Sequence, residues 1–215
     1  MAVSQTTACA GMGRFASSVG CRLALLALLS GCIGETNPRA APGDGLSVVI
    51  QPMGSVTDDQ LEAVRRAIEE LYGARATVVT PIPIPDEAYY PPRQRYRAER
   101  LLDVLGMMHP EADKVLGITA KDISTTKGEH EDWGIFGLAR MPGRAAVVST
   151  FRLRARGASE TTALQRLATV AQHEVGHTLG LRHCPERGCI LEDAKGSVAT
   201  VDRASGLCDA CAKSL

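Results

Sequence analysis

The sequence predicts an α/β (α+β) fold, a compact single domain built on a mixed, twisted sheet. Two observations predict it. From residue 46 onward, short runs rich in Val and Ile alternate with amphipathic stretches of helical period, in the order β-α-β-α-β-β-β-α. Aromatic residues make up only 4% of the chain, so the core must come from the Leu, Val, Ile and Ala that these stretches supply.

Each element has a local cause. Leu46 to Gln51 is an apolar run with the β-branched content of a strand. Thr57 and Gln60 are spaced as a capping box. Leu61, Val64, Ile68 and Leu71 then recur at helical spacing until Gly73 stops the helix. Arg75 to Thr80 reads as a second strand, and the Pro-rich residues 81–92 as an extended connection. Ala98, Leu101, Leu105 and Met108 share one face of a second helix, and Lys114 to Thr119 forms another strand. Residues 124–134 are polar and read as a loop, in which His130 and Trp133 are exposed or half packed, with a cleft-lining role as the second reading. Strands are expected at Ile135–Ala139 and Arg144–Thr150, split by Met141-Pro142-Gly143, and a last helix over Glu160–Leu179.

At 215 residues, 45% apolar and 22% charged, the chain is sized and composed for one globular domain. The formal net charge is zero and no basic block is present, which excludes nucleic acid as the expected partner. The beginning of the chain reads as an address. Leu23 to Gly31 is an apolar run after Arg22, shorter than the roughly 20 residues that span a bilayer, in the layout of a secretory signal. Leu29-Ser30-Gly31-Cys32 resembles the bacterial lipobox, which implies cleavage before Cys32 and lipidation of that cysteine. Residues 1–31 are thus expected to be a lipoprotein signal peptide, 32–45 a lipidated, flexible tether, and 46–215 the working domain. The expected product is an exported bacterial lipoprotein, a monomer anchored to the cell envelope membrane through Cys32.

The chemistry is concentrated near residue 175. His173-Glu174-Val175-Gly176-His177 places two imidazoles four residues apart, on one helical face, where both can grip one ion. Glu174 stands beside that ion without having to bind it, free to take a proton from water and pass it to a leaving amine. The pattern continues through Gly180 to His183. Gly180 can adopt the left-handed turn that ends the helix and returns His183 to the metal. Three protein ligands leave a position open, as in catalytic rather than closed zinc sites. An inert site would have no use for Glu174.

Cys184 and Cys189, followed by Cys208 and Cys211, form two close pairs that suit a structural zinc. In an exported protein, two disulfides are the alternative. The long histidine motif followed by this cysteine cluster resembles the archaemetzincins, a family of metzincin zinc proteases. Val49-Ile50-Gln51-Pro52, Pro81-Ile82-Pro83-Ile84-Pro85, Leu116-Gly117-Ile118-Thr119 and Gly143-Arg144-Ala145-Ala146-Val147-Val148-Ser149 resemble that family too, so the likeness spans about residues 46–212. It implies a metzincin-like fold with an active-site helix and two zinc ions per chain, one catalytic and one structural. It further implies hydrolysis of peptide or protein substrates. The substrate is expected to pair as an extended strand with an edge strand over the zinc cleft, here through Phe136, Gly137 and Leu138. The chain departs from the family at Leu191, where Met usually floors the zinc site, in a slightly short gap before Cys208, and in its export signal. Leu keeps the bulk and apolarity of Met, so the floor is expected to survive. The competing function is a non-catalytic zinc-binding envelope lipoprotein that holds a partner.

Overall fold

A computed structural model describes residues 45–215; the signal segment, Cys32 and the tether to residue 44 lie outside the described residues. No helix among the described residues is long and apolar enough to cross a membrane.

The centre is a five-stranded sheet. β1 (Ser47–Met53) pairs in parallel with β2 (Arg75–Val78) on one side and with β5 (Lys114–Thr119) on the other. β9 (Ala145–Ser149) continues the parallel set, and β8 (Gly137–Ala139) closes it as an antiparallel edge, giving the order β2-β1-β5-β9-β8.

The period of two along these strands separates two cores. Leu116, Ile118, Ala146 and Val148 face α1 (Asp58–Tyr72) and α3 (Glu160–Thr178), where they meet Val64, Ile68, Leu167, Ala171 and Val175. Val115, Ala145 and Val147 point the other way, onto Leu101, Leu102 and Leu105 of α2 (Ala98–Met107). Helices thus cover both faces of a mostly parallel sheet, as burial of both faces requires. The expected capping box is present. Gln60 N–H donates to Thr57 Oγ1, and Thr57 N–H donates to Gln60 Oε1 at 3.1 Å.

Residues 124–134 correct the sequence reading. They are not a loop. β6 (Ile123–Lys127) and β7 (His130–Ile135) form an antiparallel hairpin that turns at Gly128. With β3 (Tyr89–Tyr90) and β4 (Arg95–Arg97) they make a second sheet of order β3-β4-β6-β7. Within the hairpin only Ile123 and Ser124 are buried, so it lacks the apolar alternation of a core strand. Its β-branched Ile-Ser-Thr-Thr run before Lys-Gly was the available signal. The strand expected over Ile135–Ala139 is also divided: Ile135 ends β7 in one sheet and Gly137 starts β8 in the other. The Pro-rich connection contains two short 3₁₀ turns as well as β3.

Candidate metal centre and active site

α3 delivers the first two histidines. Its N-cap Ser159 accepts a hydrogen bond from Thr162 N–H, and its apolar face packs into the main core, which fixes the rotation of the helix. That rotation presents His173 and His177 to a cleft of about 340 Å³ below β8. The helix ends in a Schellman arrangement. Leu181 N–H donates to the Gly176 carbonyl at 3.1 Å, Gly180 N–H donates to the His177 carbonyl at 2.9 Å, and Gly180 has a φ of +96°. The chain then doubles back, and the His183 ring comes to 4.8 Å from the His177 ring and 5.4 Å from that of His173, centre to centre.

Each helical histidine uses its Nδ1 on a carbonyl. His173 Nδ1 lies 2.7 Å from the Ile190 oxygen, and His177 Nδ1 lies 2.7 Å from the Leu181 oxygen. A carbonyl can only accept, so both rings carry their proton on Nδ1 and turn a bare Nε2 inward. Those two Nε2 atoms are 3.0 Å apart. Two lone pairs this close repel unless a cation lies against both, and a ligand atom of His183 completes a set within 4.8 Å of one another. The neutral state is enforced as well. Burial holds His173 down to about 4, with His177 adding to the effect, and burial also lowers His177. This donor set fits a zinc ion with one open position.

Glu174 follows His173 on the helix but points under the sheet edge. It is buried, and burial pushes its carboxyl up to about 8. Gly137 of β8 explains the fit. A Cβ on that residue would stand 2.6 Å from Glu174 Cγ and 2.7 Å from its Oε1. Apolar groups, among them Phe136, Leu138, Val170, Ile190 and Val201, line much of the cleft, with Lys127, Glu192, Asp193 and Lys195 also on its wall.

The family model for peptidase family M54 matches residues 55–215. The chain belongs to peptidase family M54. Archaemetzincins are among its curated relatives. One from Haloarcula marismortui is 31% identical over 179 residues, 79% of this chain and 99% of its own length. Another, from Methanopyrus kandleri, is 40% identical over 133 residues, 61% of this chain and 72% of its own. The crystal structure of the Methanopyrus kandleri archaemetzincin superposes with a TM-score of 0.70 at 32% identity, covering 81% of this chain and 96% of that one. An Archaeoglobus fulgidus archaemetzincin complexed with malonate gives 0.68 at 31% identity, covering 79% and 100%. This M54 chain is therefore a zinc-dependent metallopeptidase, a hydrolase of the metzincin type with their mixed α/β fold.

The four C-terminal cysteines of this M54 chain converge behind the histidine site. Their sulfurs all lie within 4.8 Å of one another, and none is in a disulfide. Cys184 Sγ and Cys208 Sγ are 3.7 Å apart, close to the ~3.8 Å edge of a tetrahedron with Zn–S bonds of about 2.3 Å. The Cys211 backbone N–H, donating to Cys208, lowers that thiol, while burial and the neighbouring sulfurs raise Cys211. The cluster and the histidines share one strip of chain. Cys189 belongs to the cluster, the Ile190 carbonyl holds His173, and Leu191 is fully buried beneath the active-site helix. A Cβ on Gly176 would lie 2.9 Å from Leu191 Cδ2 and 2.9 Å from Tyr72 Oη, so the glycine between the two histidines marks this close approach. Leu191 is thus packed against the active-site helix between its two histidines.

Lys114, Tyr72 and Lys127 escaped sequence reasoning as contributors to the site. Lys114 Nζ donates to the Gly143 carbonyl at 2.7 Å and to the Thr178 carbonyl at 2.8 Å, tying the end of the active-site helix to the β8–β9 turn. Tyr72 Oη donates to the Gln172 carbonyl at 2.6 Å, one residue before the motif. Trp133 lines the cleft, the second of the two readings its sequence position allowed, and Lys127 of the same hairpin joins it with its ammonium 5.6 Å from the indole centre. His130 stacks near Trp133 at 5.5 Å but does not line the cleft.

Proposed function

We propose that Glu174 is the general base and proton shuttle of a peptidase whose catalytic zinc is held by His173, His177 and His183. The observation that carries this reading is the buried Glu174 carboxyl, one residue from a metal ligand, aimed beneath the free edge of β8. Zinc held by the histidines supplies Lewis acidity, which polarises a carbonyl and makes water more acidic. Glu174 accepts the proton of the attacking water at a carboxylate oxygen and delivers it to the leaving amine. β8 has an unpaired edge among the described residues, and Phe136, Gly137 and Leu138 there give an extended peptide backbone partners. Burial of the carboxyl strengthens every charge interaction at the reacting bond.

Two further assignments go with it. A second, structural zinc at Cys184, Cys189, Cys208 and Cys211 is supported by the separation of the sulfurs. Export as a lipoprotein, lipidated at Cys32 and held at a cell envelope membrane, is supported by the Leu29-Ser30-Gly31-Cys32 stretch alone.

The deciding experiment is cleavage of a mixed peptide library by the purified chain from residue 40 onward, beside Glu174→Gln. Cleavage by the parent, a loss of roughly a hundredfold or more in the variant, and equal zinc content in both are expected. Equal cleavage by the two proteins would remove Glu174 from the mechanism. Zinc content near two per chain, with four thiols titrating after denaturation, is expected of the cysteine site; content near one with no free thiol would replace it by disulfides.

A further inference from the structure

The cleft does not end at the metal site. At the start of β8, Phe136, Lys195 and Gly196 line both the active-site cleft and a second, open groove beside it. The far wall of that groove is the segment after β9, which contributes Arg152, Arg154 and Arg156. Four cationic side chains line the groove and no acidic one does.

Two of these cations are committed and two are not. Arg152 donates to both oxygens of Asp122, at 2.6 and 2.8 Å, and Arg154 pairs with Glu160 at 2.5 Å on the surface. Arg156 and Lys195 are exposed and form no ion pair among the described residues. Of the carboxylates that feel their charge, Asp202 is engaged elsewhere, whereas Asp193 stays beside Lys195 and lines the cleft rather than the groove. Asp202 is held by both forks of Arg166, and Asp193 Oδ1 accepts from the Lys195 backbone N–H. Both free cations sit on left-handed backbone, with φ of +62° at Arg156 and +47° at Lys195, a conformation uncommon for residues with a side chain. The Arg-bearing segment is also pinned from below, because the buried Arg166 donates to the Leu153 carbonyl at 2.7 Å and to the Ala155 carbonyl at 2.9 Å. The Arg-bearing wall of the groove therefore has a held backbone and a basic surface.

Chemistry decides which half of a substrate reaches it. This step rests on the reading of Glu174 as proton donor to the leaving amine. The amine must then lie on the Glu174 side of the scissile carbonyl, and Glu174 lies against Gly137, at the Phe136 end of β8. The chain that continues from the amine, the C-terminal half of the substrate, leaves the cleft over Phe136 and enters the basic groove. We infer that this groove is an exosite for acidic side chains of the peptide substrate, located on the C-terminal side of the bond that is cut.

The test uses peptides that share one cleavable core, followed or preceded by three Glu, three Gln or three Lys. Binding is read by fluorescence anisotropy on zinc-loaded Glu174→Gln, and cleavage on the parent. Two exposed ion pairs should give the peptide with downstream Glu roughly fivefold tighter binding than the Gln peptide, an advantage that shrinks as salt rises. The double charge reversal Arg156→Glu, Lys195→Glu should invert the order in favour of downstream Lys, a gain that damage to the fold cannot imitate. Equal binding of the three downstream peptides, preference only for upstream Glu, or an order that survives the reversal would each overturn the exosite. If the reversal instead abolishes binding to phosphatidylglycerol vesicles and leaves the peptide order intact, the groove faces an anionic membrane and the inference falls. Selective binding on Glu174→Gln with no cleavage by the parent would keep the exosite and overturn the catalytic reading instead.

Discussion

His177 donates its Nδ1 hydrogen to the Leu181 carbonyl at 2.7 Å, and Leu181 occupies its position because Gly180 turns left-handed at a φ of +96°. One glycine thus ends the helix, orients its second histidine and starts the return of His183. Gly180→Ala keeps every ligand but opposes the turn. We expect a loss of about 1–2 kcal/mol in unfolding free energy from the strained backbone, with weaker zinc binding. Gly180→Asn should cost less, because Asn tolerates the left-handed region. Urea denaturation and competitive zinc titration of the two variants check this, and equal behaviour of Ala and Asn would count against the backbone explanation.

Gly137→Ala tests the approach of β8 to Glu174. The added methyl group meets the buried Glu174 side chain from Cγ to Oε1, at 2.6–2.9 Å, rather than backbone. The side chain must re-orient as a whole, at a cost to the fold of about 1–3 kcal/mol. Displacement of its carboxylate by an ångström or so should lower kcat roughly a hundredfold. Zinc content should not change. A stable variant of full activity would show that the approach of β8 to Glu174 does not govern the reaction.

The motif and most of the frame were legible because each rests on a local rule. His173, Glu174 and His177 need only helical spacing, Gly180 only its freedom at positive φ, and Thr57 with Gln60 only a four-residue box. What was not legible depends on partners distant in sequence. Lys114 looks like the polar first residue of a strand until the Thr178 carbonyl, 64 residues away, is placed over it. The β6–β7 hairpin was misread because its strands are mostly solvated and carry polar residues, so no apolar period marks them. Their register is held by backbone pairing such as Thr125 opposite Trp133. Gly176 inside the helix points to a close approach by a neighbouring element, but which element is not written locally: Leu191 and Tyr72 stand 2.9 Å from where its side chain would begin.

Lys114 supplies the next expectation. Its ammonium bonds the Gly143 carbonyl of the β8–β9 turn and the Thr178 carbonyl at the C-terminal end of the active-site helix, where a positive charge also meets the negative end of the helix dipole. Lys114→Met keeps the aliphatic stem and removes both hydrogen bonds. We expect a loss of about 1–3 kcal/mol, from carbonyls left without a donor. Activity should fall more at the level of kcat than of KM, since the helix end that carries His177 is loosened. Equilibrium urea unfolding with steady-state kinetics measures both, and unchanged stability would show that water replaces the amine at no cost.

Glu174 gives the metal-free protein a pH dependence of definite sign. Burial raises its pKa from 4.5 to about 8 in the folded state. Folding therefore favours the protonated acid. Below about pH 4.5 both states are protonated and the fold bears no penalty. As pH rises from 4.5 towards 8 the unfolded chain ionises freely, and the folded state loses stability progressively. His173, lowered to about 4, works in the opposite sense, since its neutral form is favoured by folding and that contribution is lost as pH falls from about 6.5 towards 4. Comparison of the parent with Glu174→Gln at each pH cancels the histidines. With chelator present, the two proteins should unfold at similar urea concentrations at pH 4.5. At pH 8 the variant should be the more stable by an amount on the order of 3 kcal/mol. Zinc should erase most of that difference, because a divalent cation beside the carboxylate stabilises its ionised form. A gap that is constant across the pH range would show that Glu174 is not titrating against burial.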